Sequence, residues 1–180
     1  MKITDHTGGY AVTQVEELHT GAFTARILRN GKHVLDVENE GRGGVNRYYA
    51  ASPDQRGEKQ ALSTYAAKDF GDFEPADAFV NALMDIDIVR RAARRNGTTF
   101  AEEAEVIITD FEETSYPELI PEMKPHFDLL RRIGAAQNAD ETPARASSVQ
   151  RSARRTLPSD IGAPSRRGGT SDPRRDPLGL

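Results

Sequence analysis

Ala22-Phe23-Thr24-Ala25-Arg26-Ile27-Leu28-Arg29-Asn30-Gly31-Lys32-His33-Val34-Leu35-Asp36-Val37-Glu38 holds two alternating runs on either side of a turn signal. Phe23, Ala25 and Ile27 share one face of the first run, with Thr24, Arg26 and Leu28 on the other. In the second run Leu35 and Val37 alternate with Asp36 and Glu38. Between them, Arg29-Asn30-Gly31-Lys32 marks a hairpin. Parity then constrains the turn. A two-residue Asn30-Gly31 loop sets Arg26 opposite Leu35 and Ala25 opposite Asp36, mixing polar and apolar faces. A three-residue loop, Arg29-Asn30-Gly31, aligns Phe23 with Val37 and Ala25 with Leu35. The expectation is a type I turn with a left-handed Gly31 in a bulge, which suits a residue without Cβ.

Working outward, Ala11 to Leu18 reads as an earlier strand, with Val12 and Val15 only loosely periodic, and Val45 to Tyr49 as a later one. Helices follow. Ser52-Pro53-Asp54-Gln55 has the form of a capping box with proline at the first helical position, opening a helix that buries Leu62, Tyr65 and Ala66. Gly57 weakens its first turn by roughly 1 kcal/mol against alanine. Pro75 opens a second helix with Phe79, Val80, Leu83, Met84, Ile86 and Val89 as an apolar stripe, closed by Asn96-Gly97. Thr99-Phe100-Ala101-Glu102 is another capping box. Phe100, Ala104, Ile107, Ile108 and Phe111 follow at helical spacing, although the β-branched run Val106-Ile107-Ile108-Thr109 suits a strand. A last helix around 126–133 stops at Gly134. The fold class is α+β: a small antiparallel sheet of three to four strands with three to four helices on one face or end.

The apolar pattern disappears from about Gln137, which divides the chain into an α+β domain over 1–136 and a disordered Arg/Pro/Ser-rich tail over 137–180. The tail's composition cannot offset the entropy of ordering, about 1–2 kcal/mol per residue. Hydrophobic residues make up 37% of the chain, below the roughly 45–50% of globular domains, as a tail that buries nothing requires. Charge is also unequal. The net charge is −4, and 143–180 carries +5, leaving −9 on 1–142. With no cysteine, disulfides, thiolate metal sites and cysteine nucleophiles are excluded. No signal-peptide pattern opens the chain and no run approaches a membrane span, so a cytoplasmic protein without a membrane partner is expected.

The most distinctive stretch is Val37-Glu38-Asn39-Glu40-Gly41-Arg42-Gly43-Gly44-Val45-Asn46-Arg47-Tyr48-Tyr49. Its glycines let a backbone approach a ligand or visit left-handed conformations. It departs from a dinucleotide fingerprint, because Asn46 stands where the third glycine belongs and a strand follows. It departs from a phosphate loop because the only Gly-Lys pair, Gly31-Lys32, precedes His33. A wide hairpin connection is the first reading and a ligand- or partner-binding loop the second, with Asn39, Gly41, Arg42, Gly43, Gly44, Asn46 and Tyr48 as its candidate residues.

The order strand, Asn39-x-Gly41-x-Gly43-Gly44-x-Asn46-x-Tyr48, then a helix with Leu62-x-x-Tyr65, resembles a family of small uncharacterised bacterial and phage-borne proteins. The following helix, with Asp85, Asp87, Arg90 and Arg91, is similar as well. The resemblance covers residues 20–97 and implies a recurring structural unit. It implies no catalytic residue.

Two lone Arg-Gly-Gly units, Arg42-Gly43-Gly44 and Arg167-Gly168-Gly169, together with Tyr48 and Tyr49, raise nucleic-acid binding. Arg154, Arg155, Arg166, Arg167, Arg174 and Arg175 are the candidate phosphate contacts. True Arg-Gly-Gly segments repeat, however, and the body is acidic. The arginines at 90–95 read as a solvated helix end that complements the dipole. His6, His19, His33 and His126 have no metal-ligand spacing, and the pairs Glu102/Glu105 and Asp85/Asp87 read as exposed helix charges. No cofactor is expected. The ranking is therefore a non-enzymatic binding or accessory protein of a phage or mobile element, with an unknown protein partner. A nucleic-acid-binding protein comes second and an enzyme without a recognisable motif third.

Overall fold

A computed structural model of the chain describes residues 2–153, with side chains for 2–139. Four strands, β1 (Tyr10–Glu17), β2 (Phe23–Arg29), β3 (Lys32–Asn39) and β4 (Arg47–Ala50), form one antiparallel sheet in chain order. Four helices follow: α1 (Glu58–Phe70), α2 (Pro75–Asn96), α3 (Phe100–Thr114) and α4 (Ile120–Ala153). This is the expected α+β architecture.

The hairpin turn differs from the one that parity predicts. Arg29 pairs with Lys32, leaving a two-residue Asn30-Gly31 loop whose φ angles are 52° and 80°. A type I′ turn requires such values, and its twist matches the flanking strands. The conflict of faces is resolved inside β3 instead. Pairing passes from Leu28↔His33 to Ile27↔Leu35, so Val34 is an extra residue, and Val34 and Leu35 are both buried although adjacent. Beyond the bulge Ala25 meets Val37 and Phe23 meets Asn39, correcting the expected partners. A second irregularity lies in β1, between Thr13↔Arg26 and Glu16↔Thr24, where Gln14 has φ 50°. It explains the loose periodicity there: Val12 and Val15 are three apart, yet both pack against the core.

The inner face of the sheet (Val12, Phe23, Ala25, Ile27, Leu35 and Val37) is buried, and α2 lies against it at β1. From its other sides α2 contacts α1, α3 and α4. A helix covered in this way needs more than a narrow stripe, and the stripe expected from the sequence, Phe79 to Val89, is buried throughout. Pro75 stands in the first turn, and Gly97, left-handed at φ 69°, returns its N–H to the Ala93 carbonyl. Just past the helix's middle Asp87 is buried and ion-paired with Arg90 and Arg91. It is therefore not the exposed helix charge expected of it.

Gly57 separates a short 3-10 turn, Pro53–Gln55, from α1, so the capping-box sequence at Ser52 opens the turn and not the helix. Gln55 is buried and donates to the His33 carbonyl at 2.8 Å, fixing the turn on β3. Over 100–111 the helix prevails. Thr99 Oγ1 accepts from the Glu102 N–H, and the Glu102 carboxylate accepts from the Thr99 N–H at 2.8 Å. Phe100, Ala104 and Ile108 face the core.

The last helix does not stop at Gly134. It runs to Ala153, and Gly134 is buried in its interior, where an added Cβ would meet the Ala101 Cα and Cβ of α3 at 3.0 Å. The glycine permits a close helix crossing and does not cap an end. The rest of the Arg-rich tail lies outside the described residues.

Two outcomes follow from this packing. Gly134→Val should destabilise the protein by about 1–3 kcal/mol through overpacking; an unchanged denaturant midpoint would show that α3 and α4 tolerate a wider spacing. At the α2–α3 junction, Glu103 accepts from Thr98 Oγ1 at 2.6 Å and Asn96 Nδ2 at 2.9 Å, and these bonds hold its carboxyl below its usual pKa. The resulting stability is fully present above the unfolded glutamate value, about 4.3, and is lost as pH falls through the lower folded value. Glu103→Gln should therefore shrink the gap between melting temperatures at pH 7 and pH 3. An equal gap in both proteins would remove Glu103 from the acid response.

Candidate functional site

Asn39 closes β3 with a side chain that organises the loop after it. Its Oδ1 accepts from the Gly41 N–H at 2.7 Å, the self-made turn to which asparagine is suited. Its Nδ2 donates to the Gly44 carbonyl at 2.9 Å and to Asn46 Oδ1 at 2.8 Å. The loop is tied to α2 in turn. The Asn46 N–H donates to Asp77 Oδ2 and the Tyr48 hydroxyl to Asp77 Oδ1, both at 2.8 Å. Asp77 lies in the first turn of α2, where the helix dipole favours a carboxylate. Burial pushes the Tyr48 phenol well above its usual pKa; the Asn46 amide offsets part of this and the Asp77 carboxylate adds to it. Lys59 Nζ stands 5.1 Å over the Tyr48 ring. Tyr48 is thus a bonded member of the loop.

The glycines divide by role. Gly41 has φ 70°, and a Cβ there would strike the backbone of Thr20 and Ala22, so two loops meet at this point. Gly43 has φ 75° in open space, whereas Gly44 is neither left-handed nor crowded. Arg42 is exposed, with no hydrogen bond or ion pair among the described residues.

Asn39, Gly44 and Asn46 face a cleft of about 410 Å³ between this loop, the β1–β2 turn and α2. Gly41, Arg42, Gly43 and Tyr48 do not line it. Four carboxylates do: Glu17, Glu74, Asp77 and Asp85. Asp77 is occupied by the loop, and Asp85 Oδ2 lies 3.5 Å from His126 Nδ1. Glu17 and Glu74 have no side-chain partner among the described residues. Phe23, Met84 and Ile88 supply apolar surface inside, and Ile88 is 40% exposed. Leu18, Val45 and Phe73, each next in the chain to a lining residue, are 62%, 60% and 84% exposed. Chemically the cleft offers carboxylate oxygen acceptors beside apolar contacts.

None of these four carboxylates stood out in the sequence as a binding residue. Asp77 was readable as a dipole-matched first-turn acid, but its partners lie 29 and 31 positions away. Asp85, read as an exposed charge, is half-buried. Of the histidines, His33 reaches Asp36 at 3.1 Å, His19 is exposed and His126 is buried. No group of three metal-ligating side chains occurs among the described residues. Tyr49 is half exposed, with its hydroxyl donating to Glu38 at 2.6 Å. Glu105 pairs with Arg131 at 3.0 Å. Arg154, Arg155, Arg166, Arg167, Arg174 and Arg175 lie outside the described residues. No helix among the described residues is long and apolar enough to cross a membrane. No protein-family model, curated protein or solved structure matches the chain.

The three glycines should respond differently to alanine. Gly41→Ala combines left-handed strain with a backbone clash and should cost more than about 1–2 kcal/mol, while Gly43→Ala should cost about that much from strain alone. Gly44→Ala should leave stability within about 0.5 kcal/mol of the parent. Urea midpoints in any other order would mean that the loop is held differently.

Proposed function

We propose that the chain is a non-enzymatic binding protein whose recognition surface is the acidic cleft, and that its partner is a protein presenting a cationic segment with apolar side chains. The observation that carries this reading is the cleft's lining. Glu17 and Glu74 stand there beside Phe23, Met84 and Ile88, without counter-ions among the described residues. Carboxylates gathered in a concavity raise the local negative potential, which a guanidinium or ammonium relieves. Exposed Leu18, Val45 and Phe73 add the apolar surface that marks interaction sites on soluble domains. The glycine loop acts as the scaffold of one wall. The resemblance to bacterial and phage-borne proteins supports an accessory role encoded by a phage or mobile element, and the absence of cysteine supports a cytoplasmic setting.

Nucleic-acid binding through the tail is the second reading, favoured by the +5 charge of 143–180. One titration separates the two. A fluorescein-labelled peptide of alternating arginine and leucine should bind the full chain with an affinity that falls with salt. Glu17→Gln together with Glu74→Gln should weaken it at least about tenfold, a loss of about 1.4 kcal/mol. Arg42→Ala should leave it equal or tighter. Equal binding by the double variant and the parent would overturn the cleft reading, and salt-sensitive retention of an oligonucleotide in its place would favour the second.

A further inference from the structure

His126 is the one buried histidine among the described residues, 5% exposed, and its Nδ1 has no hydrogen bond. An orphaned nitrogen inside a protein is costly, so its neighbours matter. From α2 it meets Asp85, whose Oδ2 lies 3.5 Å from Nδ1, and from α1 the edge of the Phe70 ring, 5.3 Å between centroids. Asp69, beside Phe70 in the chain, is held by Arg132 at 2.8 Å. On α4 itself Glu122 lies one turn back and is exposed, and Lys124 and Asp128 pair with each other. No α3 side chain pairs with it among the described residues. Asp85 is thus the carboxylate that answers to His126, and the same carboxylate lines the cleft.

We propose that His126 is a proton switch on the cleft: protonated, it draws Asp85 into a charge-assisted hydrogen bond and removes that carboxylate from the cleft's negative field. Neutral, it leaves Asp85 available to a cation in the cleft. The gap of 3.5 Å is about 0.6 Å longer than such a bond, so a small side-chain adjustment closes it. Binding and protonation then oppose each other reciprocally, each weakening the other by the same factor. Imidazole is the side chain whose ordinary titration falls between pH 5 and 8, so a response in that window points to the histidine.

This inference rests on the cleft reading for its consequence but not for its chemistry, and the test treats the two apart. Ring proton resonances of the four histidines are followed from pH 5 to 8 in the full chain, with His126→Gln identifying the relevant signal. Asp85→Asn should lower the acid constant's pH midpoint for His126 by about one unit, a tenfold change. A midpoint indifferent to Asp85, or a His126 that stays neutral throughout, overturns the switch. Should Asp85→Asn fail to fold, Asp85→Ser poses the same question. The arginine–leucine peptide supplies the second arm. Its affinity should fall about threefold to tenfold from pH 8 to pH 5.5 in the parent and stay level in His126→Gln. A fall that persists in His126→Gln also overturns the proposal. If the peptide binds at no pH while Asp85 still shifts His126, the cleft reading fails and the proton switch stands.

Discussion

Phe79 sits where three elements meet, and the arrangement of the rest follows from its burial. Its ring lies 6.0 Å from Tyr10 of β1, edge-on, and 5.4 and 5.6 Å from Tyr65 and Phe70 of α1. Phe70 passes the contact on to His126 of α4. Aromatic pairs at these separations add about 0.5–1.5 kcal/mol each beyond the area they bury, and their quadrupoles prefer tilted and edge-on geometry. One side chain in α2 therefore orients the sheet, its neighbouring helix and, through one further ring, the last helix. It also sets the helix whose first turn carries Asp77 and whose middle carries Asp85. The cleft's wall is positioned by the core behind it.

Much of this was legible because it is local. Pro75 and Gly97 bracket α2, Thr99 with Glu102 starts α3, and Arg29-Asn30-Gly31-Lys32 marks the hairpin between β2 and β3. The parity conflict in that hairpin was readable too, but not its remedy. Two runs of alternating residues reveal that one residue is superfluous without revealing which, and the Asn-Gly pair was free to form a type I′ turn once Val34 absorbed the excess. Val12 and Val15 carried the same information in β1, as an odd spacing between two inward-facing residues. Gly134 misled for a related reason. A glycine after an apolar run marks an end when the chain turns, and a close crossing when another backbone lies against it, and only the position of Ala101 separates the two.

The candidate site was half legible. Asn39, Gly44 and Asn46 belong to a recognisable motif because their hydrogen bonds close within seven residues. The acids opposite them come from β1, from α2 and from the residue just before α2, and no spacing in the sequence announces that Glu17, Glu74 and Asp85 share a cavity. Arg42 illustrates the converse. It is conspicuous in the sequence but stands outside the cleft, since a loop's tip and its packed side serve different ends.

Glu74 has φ 44°, a left-handed backbone directly ahead of Pro75, where the proline ring favours extended geometry. For a side chain with a Cβ this conformation costs about 1–2 kcal/mol, and glycine would avoid it. The mouth of the cleft thus carries a glutamate at a position where conformational ease alone would call for glycine. Sequences optimised for thermal resistance would be expected to drift toward glycine there and to give up the charge, so that robustness and electrostatic character compete at a single codon.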